Sequence, residues 1–160
     1  MSKKRIYLAS SWRNNLQPVV LAGLRAGGHE VYDFRNPEPG ETGFAWSAID
    51  PNWKEWTTEQ FKEALKHPLA QKGHRLDQTA MDWCNVCVLL LPSGSSAHLE
   101  AGYCSGQGKA TFVYAPSMRE PELMYKTFET VQTALGYDTF HTSPETLLLA
   151  VWKCTTRAEM

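Results

Sequence analysis

Residues 85–103 read NVCVLLLPSGSSAHLEAGY, and the first half of that stretch decides the fold class. Val86 to Leu91 is apolar without interruption. A strand with one wet face alternates polar and apolar side chains, so an unbroken run signals a strand covered on both faces, as in a parallel sheet. The run stops at Pro92. Four small polar residues follow, Ser93, Gly94, Ser95 and Ser96, and then a helical pattern expected from about Ala97 to Ser105, ended by Gly106 and Gly108. Strand, short loop and helix in that order make half of a βαβ unit.

The same rhythm extends to both sides. Arg5 to Ala9 reads as a first buried strand, followed by the polar loop SSWRNN at 10–15. Leu16, Val20 and Leu24 have helical spacing, Pro18 suits a first helical turn, and Gly27-Gly28 ends that helix. Glu30 to Phe34 is a second strand. Turn residues then gather at 36–40, and Phe44, Trp46, Trp53 and Trp56 crowd an irregular segment. Thr57 and Gln60 are spaced as a capping box, opening a helix expected to run to about Lys66 and to stop before Pro68. Further helices are expected from about His74 to Trp83 and over 121–135, with strands at Ala110 to Tyr114 and Tyr137 to His141. Ser143 and Pro144 cap and start the last helix. The expected fold is α/β, a Rossmann/flavodoxin-like three-layer sandwich with a five-stranded parallel sheet. It forms one domain over 1–160 with a Trp-rich insertion at about 36–56.

Composition excludes several partners. With 16 basic and 17 acidic residues the net charge is -1, so no basic face is expected for a nucleic-acid polymer. A small phosphorylated ligand needs only one or two cations and is not excluded. The apolar run behind the basic N-terminus is too short for a signal peptide, and no segment approaches the ~18 apolar residues of a membrane helix. Cys84, Cys87, Cys104 and Cys154 sit mostly among apolar residues. We therefore expect a cytoplasmic protein with free thiols and no membrane partner. The Cys84-x-x-Cys87 pair has no second ligand pair, and no histidine shows ligand spacing, so no metal or cofactor is expected.

In an open parallel sheet, ligands gather beyond the carboxyl ends of the strands where strand order reverses. Two loops compete for that place, the one carrying Ser10 to Asn15 and the one carrying Ser93 to Ser96. The second leads into a helix N-terminus, where unpaired N–H groups and the helix dipole favour an anion. Gly94 permits close approach and the serines add donors. The loop is either a cradle for a phosphate or sugar hydroxyl, or a serine-capped turn. Glu100 bears on that choice. With Ser96 as cap, a capping-box acid belongs at position 99, and Glu100 is one residue late. A carboxylate near a helix start is held ionised, and beside a sugar it can attack the anomeric carbon.

Three stretches together, IYLASSWRN, a helix containing Asp77 ahead of the third strand, and PSGSSAHLEAGY, resemble the nucleoside 2-deoxyribosyltransferase-like superfamily. The likeness is closest to its deoxynucleoside 5′-monophosphate N-glycosidases. The resemblance implies that Glu100, in Glu100-Ala101-Gly102-Tyr103, is the nucleophile, that Tyr7 borders the sugar, and that Arg13 reaches a 5′-phosphate. It further implies that Asp77, or else Asp82, assists departure of the base. Ser10 and the run Ser93, Gly94, Ser95 and Ser96 are the remaining substrate-binding candidates, with Trp46 as a base-stacking one. Many transferases of this superfamily carry an aspartate where the third strand ends. Its absence here leans toward a hydrolase with a serine-lined phosphate pocket. The resemblance implies a homodimer or higher homo-oligomer acting on a small nucleoside or nucleotide. A deoxyribosyltransferase, an NAD-type glycohydrolase, a non-catalytic nucleotide-binding module and a protein-interaction domain stand as alternatives. The tryptophans equally suit an aromatic cluster that packs the long loop, and Tyr103, Phe112 and Tyr114 are expected in the core.

Overall fold

The computed structural model describes residues 2–129 and 138–154. The described chain divides into two compact units, Met1–Asp33 with Met81–Met160, and Phe34–Ala80.

The first unit is a five-stranded, wholly parallel sheet: β1 (Arg5–Ala9), β2 (Glu30–Tyr32), β3 (Val86–Leu90), β4 (Ala110–Tyr114) and β5 (Phe140–His141), in the order β2-β1-β3-β4-β5. This is the flavodoxin-like order, and its reversal lies between β1 and β3. Every residue of β3 and β4 is buried, as the unbroken apolar run requires. Because side chains alternate across a strand, each face can be read from register. Ile6 and Leu8, Val86, Val88 and Leu90, and Phe112 and Tyr114 share one core with Leu21 and Leu24 of α1 (Gln17–Ala26) and Leu147 and Val151 of the last helix (Pro144–Lys153). Tyr7, Cys87, Leu89 and Val113 face the other way. The helix Ser95–Gly106 covers that side with buried Ala97, Ala101 and Cys104. This three-layer arrangement matches the expected fold.

The punctuation has plain causes. Pro18 lies in the first turn of α1, and Gly28 closes it at φ 89°, a left-handed conformation that costs glycine little. Ser143 accepts a hydrogen bond from the Thr146 N–H, with Pro144 starting the helix behind it. β2 ends at Tyr32, two residues short of the expected Phe34, and β5 holds only Phe140–His141. The helix expected over 121–135 begins with a tight turn at Leu123–Tyr125, and its span from 130 onward lies outside the described residues.

The second unit has no strand among its described residues. Two single 3₁₀ turns, Trp46–Ala48 and Trp53–Glu55, precede α2 (Thr58–Ala64) and α3 (Pro68–Trp83), which ends in the first unit. The capping box at α2 forms as expected. Thr57 Oγ1 accepts from the Gln60 N–H at 3.3 Å, and Gln60 Oε1 accepts from the Thr57 N–H at 2.8 Å. α3 begins at Pro68 rather than near His74, because a proline that stops one helix also suits the first position of the next. The Trp46 ring meets Phe44, Trp56 and Phe61 edge-on, at centroid distances of 4.7, 5.6 and 5.7 Å. The Asn52 N–H, at 2.8 Å, and then the Trp56 indole N–H, at 2.7 Å, donate to Asp50 and hold its carboxyl below its ordinary pKa. No helix among the described residues is long and apolar enough to cross a membrane.

Candidate active site

The two loops that leave the sheet at its reversal point are tied to each other. The Ser10 hydroxyl donates to the Leu90 carbonyl at 3.4 Å, and the buried Asn14 amide donates to the Pro92 carbonyl at 3.1 Å. The second loop leaves β3 through a cis Leu91–Pro92 peptide. Asn14 also accepts from the Leu16 N–H at 2.9 Å, which fixes the turn into α1. Nothing in the sequence singles it out. Arg13 is exposed on this loop, its N–H bonded to the Ser11 hydroxyl.

Helix α4 (Ser95–Gly106) starts earlier than its sequence suggests. Its cap is Gly94, which has no side chain to bond the first turn, not Ser96. Ser95 and Ser96 are therefore the first two helical residues, and Glu100 is the sixth. No acidic residue occupies the first turn. The capping-box reading of Glu100 thereby fails by three residues rather than one, and the helix dipole has largely faded there.

Glu100 is half-buried at the border of the face that α4 lays on the sheet. Its charge is felt at Cys87 of β3. That thiol has a raised pKa even though its bond to Cys104 lowers it, with burial and then Cys84 and Glu100 pushing it up. Along the helix, Ser96, Glu100, Tyr103 and Gln107 form one stripe by their spacing of three and four. Its far end is anchored: the Tyr103 hydroxyl donates to Asp82 at 2.8 Å, and the Gln107 amide donates to both Tyr103, at 2.9 Å, and Asp82. Tyr103 is thus 39% exposed rather than in the core, because its stripe faces away from the sheet. Asp82 is an exposed partner of that stripe. Phe112 and Tyr114 are buried as expected.

Tyr7 lies fully buried at the middle of β1, on the sheet face under α4 and in register with Cys87. Its ring stacks on Tyr32 at 5.3 Å. Asp77 and Trp46 belong to the second unit: Asp77 is half-buried on α3, and Trp46 is the hub of the aromatic cluster. Cys84, Cys87 and Cys104 are buried and free. The Cys84 thiol is driven far above its ordinary pKa by its contact with Cys104 and by burial, so no thiolate nucleophile forms there at neutral pH.

Beside the serine loop opens a cleft of about 730 Å³, lined by Ser93, Ser95, His98, Glu120, Glu122 and Tyr125 among others. His98 bridges it. One ring nitrogen, Nδ1, lies 2.8 Å from the Gly94 carbonyl, and the other, Nε2, lies 2.8 Å from the Tyr125 hydroxyl. A carbonyl only accepts, so Nδ1 carries the proton, and a neutral ring then accepts from Tyr125 at Nε2. The Ser93 N–H donates to Glu120 Oε2 at 3.2 Å. Burial first, then Glu120 and Glu122, push the Tyr125 phenol above its ordinary pKa. Sequence reasoning missed Glu120, Glu122 and Tyr125 altogether, and the serine-lined phosphate pocket it favoured is flanked by carboxylates.

No family model matches the chain, and no curated protein matches it in sequence. Solved structures do match in fold. A 2-deoxyribosyltransferase from Bacillus psychrosaccharolyticus is 22% identical, with a TM-score of 0.46 over 83% of this chain and 91% of that one. A CMP N-glycosidase from Clostridium botulinum is 16% identical, with a TM-score of 0.50 over 92% of this chain and 98% of that one. At these identities the likeness is one of fold, and on the second match the chain has the fold of the CMP N-glycosidase over nearly its whole length.

Proposed function

We propose that this protein is an enzyme that cleaves the N-glycosidic bond of a nucleoside or (deoxy)nucleoside 5′-monophosphate, with Glu100 as the nucleophile. The observation that carries this reading is the position of Glu100. It stands on the helix that leaves the sheet's reversal point, half-buried, and three residues too deep in that helix to complete a capping box. A helix-start role is the ordinary explanation of an acid after a serine loop, and it does not apply here.

The chemistry follows from a carboxylate beside a sugar. A Glu100 oxygen attacks C1′ as the C1′–N bond breaks, and the electron pair leaves with the base. The base takes up a proton, a role the resemblance assigns to Asp77. Water then attacks C1′ of the glycosyl ester, the ester C1′–O bond breaks, and Glu100 is regenerated. If a second base replaces water, the same intermediate gives a deoxyribosyl transfer. The buried Asn14 bond between the two loops and the Tyr103–Asp82 anchor on α4 hold this region rigid, as a displacement at one carbon requires. The CMP N-glycosidase whose fold the chain shares bears the name of an N-glycosidic enzyme, which supports the same class.

The test is a panel of nucleosides, their 5′-monophosphates and NAD, with free base followed by chromatography and a second base added in parallel. Release of a nucleobase is the expected result. Release of nicotinamide alone would reassign the substrate, exchange without hydrolysis would make it a transferase, and binding without any product would make it a nucleotide-binding module.

A further inference from the structure

We propose that Tyr103, held by Asp82 and Gln107, is a positioning residue that fixes the rotation of α4 about its axis and so aims the Glu100 carboxylate. The inference rests on the function proposed above and adds to it the device that orients the nucleophile.

The face that α4 lays on the sheet has Ala97, Ala101, Cys104 and Ser105 as its buried residues. None of these side chains reaches past its γ atom, so no long knob locks the helix into the layer beneath it. The outer side is open. A Cβ at Gly102 or at Gly106 would meet nothing within 4 Å, and Leu99 is 75% exposed. Side-chain hydrogen bonds supply the hold that packing does not. The Tyr103 hydroxyl donates to Asp82 at 2.8 Å, and the Gln107 amide donates to that hydroxyl at 2.9 Å and to Asp82 at 3.4 Å. This closed triangle ties α4 to the last residues of α3, within the first unit. It acts on the side of the helix that carries Glu100. Gln107 follows two turns later, within about 20° of Glu100 around the axis, and Tyr103 is its neighbour one turn on. At an outer radius of about 5–6 Å, a roll of about 20° carries a side-chain tip through about 2 Å. Displacements on that scale cost orders of magnitude in rate. The three bonds are exposed and each adds little to stability, so their loss should show in the rate of reaction before it shows in melting.

The test compares Tyr103→Phe, Asp82→Ala, the double variant and Asp82→Asn, which keeps an oxygen to accept from Tyr103. Base release is followed for kcat and KM. We expect kcat to fall about tenfold in Tyr103→Phe and in Asp82→Ala, with KM moving by less than about twofold. The double variant should be no slower than either single one, and Asp82→Asn should keep most of the wild-type rate. Ser143→Ala, which removes the cap of the last helix, serves as control and should lose stability without losing kcat. A second readout needs no turnover. With glutamate carboxyl carbons isotopically labelled, the resonance missing from Glu100→Gln belongs to Glu100. It should shift in Tyr103→Phe and Asp82→Ala and return toward its wild-type place in Asp82→Asn. Unchanged kcat in a folded Tyr103→Phe protein, a risen KM at constant kcat, additive losses in the double variant, an equal loss in Ser143→Ala, or an unmoved Glu100 resonance would overturn the proposal. If the wild type releases no base from any substrate, the proposed function fails, and the resonance alone decides whether Tyr103 orients Glu100.

Discussion

The two units of this chain hold themselves together by different means. In the sheet unit, strands β1, β3 and β4 are buried along nearly all their length, and the backbone ladder satisfies their polar groups. The serine loop, Asn14 and Glu100 all lie just beyond the carboxyl ends of those strands. In the second unit no ladder exists, and rings and side-chain hydrogen bonds do the holding. A side chain that packs is committed, so the loss of one should register first as instability.

Truncation at the centre of each unit tests this most strongly. Phe112→Ala, at a fully buried position of β4, should cost about 3–5 kcal/mol in urea unfolding. Trp46→Ala should cost about 2 kcal/mol, since its ring is half-exposed and loses three edge-on partners. If Trp46→Ala leaves stability untouched and instead weakens substrate affinity, the ring stacks on a base and the contrast between the units breaks.

Gly73 gives a sharper probe of the second unit. A Cβ there would sit 2.8 Å from the Phe44 Cβ and 3.1 Å from its Cγ, closer than such atoms approach. Gly73→Ala should therefore destabilise by about 1–2 kcal/mol in spite of alanine's better helix propensity. A stabilised variant would mean that this contact yields easily.

Acid should loosen the sheet unit. Burial, and then Lys4, lower the His29 pKa, and burial lowers that of His141 although Asp138 opposes it. Both groups bind a proton more readily unfolded than folded. The stability they contribute is full above the ordinary histidine pKa of 6.5 and is lost as pH falls below it toward the depressed folded values. The melting temperature should fall between pH 7.5 and 5.5, a range chosen about that value, and His29→Gln should flatten part of that slope.

The smallest effect belongs to Gly102, beside Tyr103 on α4. A Cβ there meets nothing within 4 Å, so Gly102→Ala should be neutral or stabilising by up to about 1 kcal/mol. Lost base release in a stabilised Gly102→Ala would show that a ligand or a second chain approaches α4 at this point.

The parts of this molecule legible in its sequence are those fixed by short-range chemistry. The apolar run before Pro92, the Thr57–Gln60 box and the Ser143-Pro144 start all carry their cause within a few residues. The start of α4 does not. Three serines offer better caps than Gly94, yet tertiary bonds from Asn14 and Glu120 fix the loop and leave a glycine at the cap. Pro68 carries two meanings, stop and start, and local sequence does not choose between them. Glu120 was invisible for a related reason. It lies in a turn-rich stretch with no motif, and only the fold returns it to Ser93, 27 positions away. Glu100 stood out from the start, but its exclusion as a cap needed the observed helix boundary.

The most direct test of the central claim is the rate of base release by Glu100→Gln beside the wild type, on whichever substrate the panel selects, with melting curves of both. The account expects a fall of about 10³-fold or more at an unchanged melting temperature, as for removal of a nucleophile. Wild-type turnover in a folded Glu100→Gln protein would contradict it and leave Glu100 a structural residue of α4.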